Sequence, residues 1–262
     1  MFEELKPHLA ELRKRLVICV ITVILMFVVC FNYWEIILDF MKAPLVKVLP
    51  DDGKVVFTQL GETFFTAMKV SFFTSLLLSM PIIFWQAWLF VAPGLYDNEK
   101  KYVIPFVLSA SVMFFLGAAF CYYFVIPVAF YFLINFGGAD YAAMLAIGQY
   151  VGFFTKLVVA FGISFELPVV TFFLAKLGLI TNKSLTDFFR FAIVIIFVFA
   201  AIMTPPDVLS QFMLAGPLIV LYALSILIAK MINPYKADDD DEDEADEDEE
   251  SEKSAQGAVK EA

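Results

Sequence analysis

The residue in this chain best placed to do chemistry is one carboxylate, Glu166. It stands in a long apolar run, ten residues from Lys156 on one side and from Lys176 on the other. An ionised carboxyl is costly in hydrocarbon, so such a group is either neutral or faces a polar partner or a cavity. Two residues on, Pro168 removes a backbone donor and frees the Ser164 carbonyl one turn earlier. An acid, a bend and an unpaired acceptor coincide there, which makes Glu166 a candidate functional site; the competing reading is a protonated Glu that ties two helices together. For catalysis there is no HExxH, no GxSxG, no Walker loop, no glycine-rich dinucleotide turn, and a single histidine, His8. Cys19, Cys30 and Cys121 lie in apolar runs without metal-ligand spacing and read as small hydrophobes. No catalytic residue, metal, cofactor or nucleic-acid partner is expected, and the chain does not read as an enzyme. Glu11 and Glu99 remain as carboxylates suited to binding, since guanidinium groups prefer carboxylates in fork geometry.

The elements that must position these residues are membrane helices. Of 262 residues 61% are hydrophobic and only 18% charged, with 31 Phe and a mean hydropathy of +0.82. That excludes an ordinary soluble domain, which is about a quarter charged. The formal charge of -10 belongs to a tail. Asp238–Glu250 holds 12 acids in 13 residues, and Met1–Lys236 carries 16 basic against 14 acidic side chains. Residues 237–262 are therefore expected to be a disordered acidic tail. No cleavable signal or transit pattern stands at the N-terminus, so the first apolar run is expected to remain as an anchor.

Spans of about 20 apolar residues cross a bilayer. Uncharged runs cover 16–34, 70–92 and 103–136, the third too short for two spans and read as one long tilted helix, bent at Pro127. A fourth, 150–180, is broken only by Lys156, Glu166 and Lys176. Two short runs, 191–203 and 212–229, flank the turn signal TPPD (Thr204–Asp207) and read as the legs of a short hairpin. The expected architecture is an all-α integral membrane protein of six spans in one domain, 1–236. Placing the N-terminus inside puts 13 of the 18 Lys and Arg on the inner side, so both termini and the tail are read as cytoplasmic. The first outer loop is the weak point, with four Lys accompanied by Glu35, Asp39, Asp51, Asp52 and Glu62.

Two further patterns shape that bundle. Phe2, Leu5, Leu9, Leu12 and Leu16 recur at intervals of three and four, a helix with one apolar face expected at the inner interface before the first span. Pro81, Pro105, Pro127, Pro168 and Pro217 sit in or beside four of the six spans. Kinked helices leave concave surfaces, so the bundle is read as concave and glove-like, with its last two helices short.

Four strings in order then resemble one family. HLAELRKRL (His8–Leu16), FVAPGLYDNEKK (Phe90–Lys101), FGISFELPVV (Phe161–Val170) and TPPDVLSQ (Thr204–Gln211) are similar to TatC proteins, and the likeness covers essentially all of Met1–Lys236. TatC is the multispanning receptor subunit of the twin-arginine protein translocase. The resemblance implies six spans with the N-terminus inside, in the bacterial cytoplasmic (inner) membrane. It implies a surface for twin-arginine signal peptides of folded cargo that includes Glu11, Arg13, Phe90 and Glu99. It also implies an intramembrane role for Glu166, a first-outer-loop proline at Pro44, and an outer hairpin marked by Thr204, Asp207 and Gln211. TatA- and TatB-type single-span partners are expected to dock at that hairpin and its helices, and self-association within the complex is implied. Lys100–Lys101 stands where relatives often carry arginines, and the acidic tail lies outside the family pattern.

The alternative is a proton-coupled secondary transporter using Glu166 as carrier. Such proteins show repeat halves with interrupted helices in matching positions. The first and last three spans here have no such symmetry, their lengths being 19, 23 and 34 against 31, 13 and 18.

Overall fold

A computed structural model describes residues 2–50, 53–91, 103–135, 144–204 and 208–233. The first element, α1 (Phe2–Asn32), is one unbroken helix of 31 residues. The amphipathic helix expected at the interface and the first span are continuous: Pro7 costs the Glu3 carbonyl its helical donor without ending the helix, and the apolar stripe runs straight into the span. The chain then turns at Tyr33 into α2 (Trp34–Val46), so the first third of the stretch read as an outer loop is helix. Leu38, Met41, Pro44 and Leu45 share the face of α2 that is buried.

The remaining spans follow as α3 (Glu62–Val91), then α4 (Val103–Phe120), a π-helical turn (Cys121–Val125) and α5 (Ile126–Asn135). The π turn sits where Pro127 was expected to bend the third span. Proline at 127 cannot pair with the carbonyl four residues back, and the Ile126 amide reaches five residues back, to Cys121, instead. Next come α6 (Ile147–Ser164) and α7 (Glu166–Lys176), separated only at Phe165, then α8 (Asn182–Asp187), α9 (Phe189–Met203) and α10 (Val208–Ile232). Two short strands, β1 (Lys54–Val56) and β2 (Met144–Ala146), pair in parallel with Val55 opposite Leu145, an addition to the helical reading.

Five helices among the described residues are long and apolar enough to cross a membrane: His8–Asn32, Glu62–Phe90, Ile104–Asn135, Ile147–Lys176 and Ser210–Ile232. The helix α9 has 15 residues, about 22 Å at 1.5 Å per residue, and falls short of a hydrocarbon core of about 30 Å. The N-terminus of α1 and the C-termini of α3, α7 and α10 share one end of the bundle, here the near end; α2, β1, β2, the C-terminus of α9 and the N-terminus of α10 mark the far end. The main core gathers Val70 and Phe73 of α3, Phe154 and Phe161 of α6, and Leu214 and Leu218 of α10. In contrast α1 packs chiefly along α3 and leaves Leu16, Val20, Ile24 and Val28 exposed, as suits a helix bathed in lipid.

Close approach of α4 to the α6–α7 bend depends on two glycines. A Cβ on Gly117 would lie 2.6 Å from the Phe161 carbonyl oxygen and 2.8 Å from the Phe165 ring. A Cβ on Gly162 would lie 2.6 Å from the ring of Phe114, which is fully buried. Each helix thus offers a glycine to the other's backbone or ring, the device by which membrane helices pack closely.

Candidate functional site

At the near end, the first turns of α1 lie against the last turns of α3. The His8 imidazole stacks on Phe90 with ring centroids 4.3 Å apart. About two helical turns further along α1, Arg15 donates from Nη2 to Glu11 Oε1 at 2.9 Å and from Nη1 to Gln86 Oε1 at 3.2 Å. The Glu11–Arg15 pair has the i, i+4 spacing that places two side chains on one helix face. Arg15 engages a single oxygen of Glu11, and a carboxylate has lone pairs for a second bidentate donor. Arg15 Nε is buried without a hydrogen-bond partner among the described residues.

The structure therefore brings Glu11 and Phe90 to one edge of the α1–α3 pair. Arg13, two residues from Glu11, points about 200° round the helix and is exposed on another face. Glu99 lies outside the described residues. Sequence reasoning missed Arg15, Gln86 and the stacking role of His8. The i, i+4 spacing could have disclosed Arg15; Gln86 was legible only as a polar residue inside an apolar run.

Glu166 opens α7 directly after the break at Phe165. Phe165 still bonds back to the Phe161 carbonyl at 3.0 Å, so the bend is shallow and is held between Gly117 and Pro168. Glu166 Oε1 is buried with no hydrogen-bond partner among the described residues. A helix tie would need such a partner.

The far end is fastened by side chains that cap freed backbone. Pro44, read as a loop residue, is buried inside α2, where it deprives the Phe40 carbonyl of its helical donor. The Tyr122 hydroxyl, on the π turn, donates to that carbonyl at 2.8 Å, and Tyr150 donates to the neighbouring Met41 carbonyl. Glu62, counted in the sequence only as a loop acid, joins two helix starts. Its Oε2 accepts from the Thr58 amide and hydroxyl and the Gln59 amide, and its Oε1 from the Gly148 amide of α6 at 2.8 Å.

Of the hairpin residues, Thr204 is buried and donates to the Ala200 carbonyl at 2.9 Å. Gln211 of α10 donates across the hairpin to the Phe197 carbonyl of α9 at 2.9 Å. Both shape the hairpin from within. Asp207 lies outside the described residues. Among the described residues no three His, Cys, Asp or Glu gather as a metal site would need.

These features define a multi-pass helical membrane protein. A family model for the Sec-independent protein translocase protein TatC matches residues 7–217. The chain belongs to the TatC family. It is 58% identical over 242 residues to TatC of Campylobacter jejuni, covering 92% of this chain and 99% of that one. It is 50% identical over 244 residues to TatC of Helicobacter pylori, covering 92% of each. The fold matches a crystal structure of the twin-arginine translocase receptor TatC with a TM-score of 0.79 and 37% identity, over 86% of this chain and 99% of that one. A structure of the receptor in the detergent DDM matches with the same score and identity.

Proposed function

We propose that this protein is the receptor and core subunit of a twin-arginine translocation system. It binds twin-arginine signal peptides of folded cargo at the cytoplasmic face and scaffolds TatA- and TatB-type partners for export. The observation that carries this reading is the near-end edge, where Glu11 is held beside Phe90 in a chain of the TatC family. A guanidinium pair would share Glu11 with Arg15 and meet Glu99, while the apolar part of the signal meets Phe90; Arg13 would act from the neighbouring face. Pro44, Thr204, Asp207 and Gln211 serve the far-end cap and the hairpin on which partners dock, the buried ones by fixing its shape.

The same reading makes α9 the fifth of six spans, a short one that tilts or thins the bilayer around it. It places both termini and the acidic tail of residues 237–262 in the cytoplasm, in the bacterial inner membrane, with self-association in the assembled complex. No reaction is assigned to the chain. The transporter alternative finds no support among the relatives.

The test is binding of a signal peptide to the full chain in nanodiscs, comparing Arg-Arg with Lys-Lys versions. Preference for Arg-Arg, weakened several-fold in Glu11→Ala and Glu99→Ala and further in the double variant, is the expected result. Equal binding of both peptides, or unchanged affinity in all three variants, overturns the assignment.

A further inference from the structure

α4 and α10 both pack on α7, and the space left between them is an apolar groove of about 440 Å³. Its floor is Val169 and Phe173, both buried, and its open walls include Phe172 and Leu224. Two lining residues are polar. Ser109 spends its hydroxyl on the Phe106 carbonyl at 2.9 Å, and Lys176 stands exposed where the groove reaches the near end.

We infer that this groove is a binding site for an anionic phospholipid, with an acyl chain along the floor and the phosphate at Lys176. Length is the first support. Pro168 and Lys176, at its two ends on α7, are eight residues apart, or about 12 Å of helix rise. That is close to the depth of one leaflet, about half of a 30 Å hydrocarbon core.

Rigidity is the second. Phe173 is pinned by Trp88 and Phe106, with ring centroids 4.3 and 5.1 Å away, and Trp88 and Phe106 lie 4.4 Å from each other. A floor braced in this way keeps its shape when empty, and a preformed site loses less on binding.

Charge is the third. Described residues at the near end include exposed Arg13, Lys14, Lys183, Arg190 and Lys230 beside Lys176, against Glu11 and Asp187. Basic pockets between membrane helices are sites for anionic headgroups. A larger apolar space of about 570 Å³ opens between α2, α3 and α6, but no charged side chain lines it, so it has nothing to select a headgroup.

A lipid also suits the walls better than a partner helix does. Helices pack in membranes where small residues let backbones approach. Phe106, Phe172 and Leu224 hold a helix off, whereas a slender hydrocarbon chain passes between them. This inference is independent of the signal-peptide reading.

The test uses the full chain, purified in detergent and stripped of lipid, then titrated with phosphatidylglycerol or phosphatidylcholine of identical chains. Bound lipid is counted by native mass spectrometry. Wild type is expected to prefer phosphatidylglycerol about five-fold, the contribution of one basic residue near a membrane surface. Lys176→Gln should abolish the preference while binding phosphatidylcholine as before, and Lys230→Gln, outside the groove, should keep it. Equal binding of the two lipids by wild type overturns the proposal, as does a preference that survives Lys176→Gln. Crosslinks from Phe172 to a signal peptide's apolar segment that phosphatidylglycerol does not reduce would assign the groove to peptide and also overturn it.

Discussion

Replacing Gly117 by alanine tests whether the α4 crossing sets the bend that presents Glu166. The new Cβ would stand 2.6 Å from the Phe161 carbonyl oxygen, where ordinary contact begins near 3.4 Å, so the helices must part by about 0.8 Å. Neither obstacle yields easily, one being backbone and the other the Cβ and ring of Phe165 at 2.9 and 2.8 Å. Overpacking of this kind costs roughly 1–3 kcal/mol. The helix preference of Ala over Gly returns at most about 1 kcal/mol. A net loss of about 1 kcal/mol is expected. Gly152→Ala on α6 is the control, because nothing lies within 4 Å of its would-be Cβ, and it should gain about 0.5–1 kcal/mol. At roughly 2–4 °C per kcal/mol for a chain of this size, the two variants should melt about 3–8 °C apart in the same detergent. Gly117→Ala should also export poorly while binding signal peptide normally at the near end, since the displaced helix is remote from Glu11. A Gly117→Ala protein that melts with the control and exports at the wild-type rate would refute the argument.

Other expectations follow from the same geometry. Glu166→Gln should impair export mildly and Glu166→Ala strongly, with near-end signal binding kept in both; full export by the Ala variant removes the functional role, and a Gln variant as inactive as Ala favours a proton carrier. Gly148→Ala would put a Cβ 2.9 Å from Glu62 Oε1 and displace the carboxylate from the α6 amide. Cysteines placed at Val55 and Leu145 should then form a disulfide more slowly than in the parent, and an unchanged rate argues against the Glu62 staple. Gln211→Leu loses the bond to Phe197, worth about 1 kcal/mol, and should lower the melting temperature by roughly 2–4 °C; no shift would show that water replaces it. Truncation after Lys236 should leave insertion and export largely intact, and a truncated chain that inserts but exports nothing would give the tail a specific partner.

The sequence alone discloses the long apolar runs, because hydrocarbon demands such runs with their backbone satisfied internally. Runs at 16–34 and 70–92 overlap the long apolar helices His8–Asn32 and Glu62–Phe90, and Pro168 announced the bend beside Glu166. Pro127 likewise foretold a disturbance, although not that it would be a π turn. Tertiary structure alone decided which side chains meet across helices. Hydropathy carries no information on the rotation or register of one helix against another, since every face of such a helix is apolar. Arg15 with Gln86, His8 with Phe90, Tyr122 with Phe40 and Glu62 with Gly148 are therefore invisible in the chain, being 71, 82, 82 and 86 residues apart. The same holds for Pro44, whose freed carbonyl has meaning only once the π turn brings a tyrosine to it, and for Gly117, whose missing side chain matters only because Phe161 lies opposite.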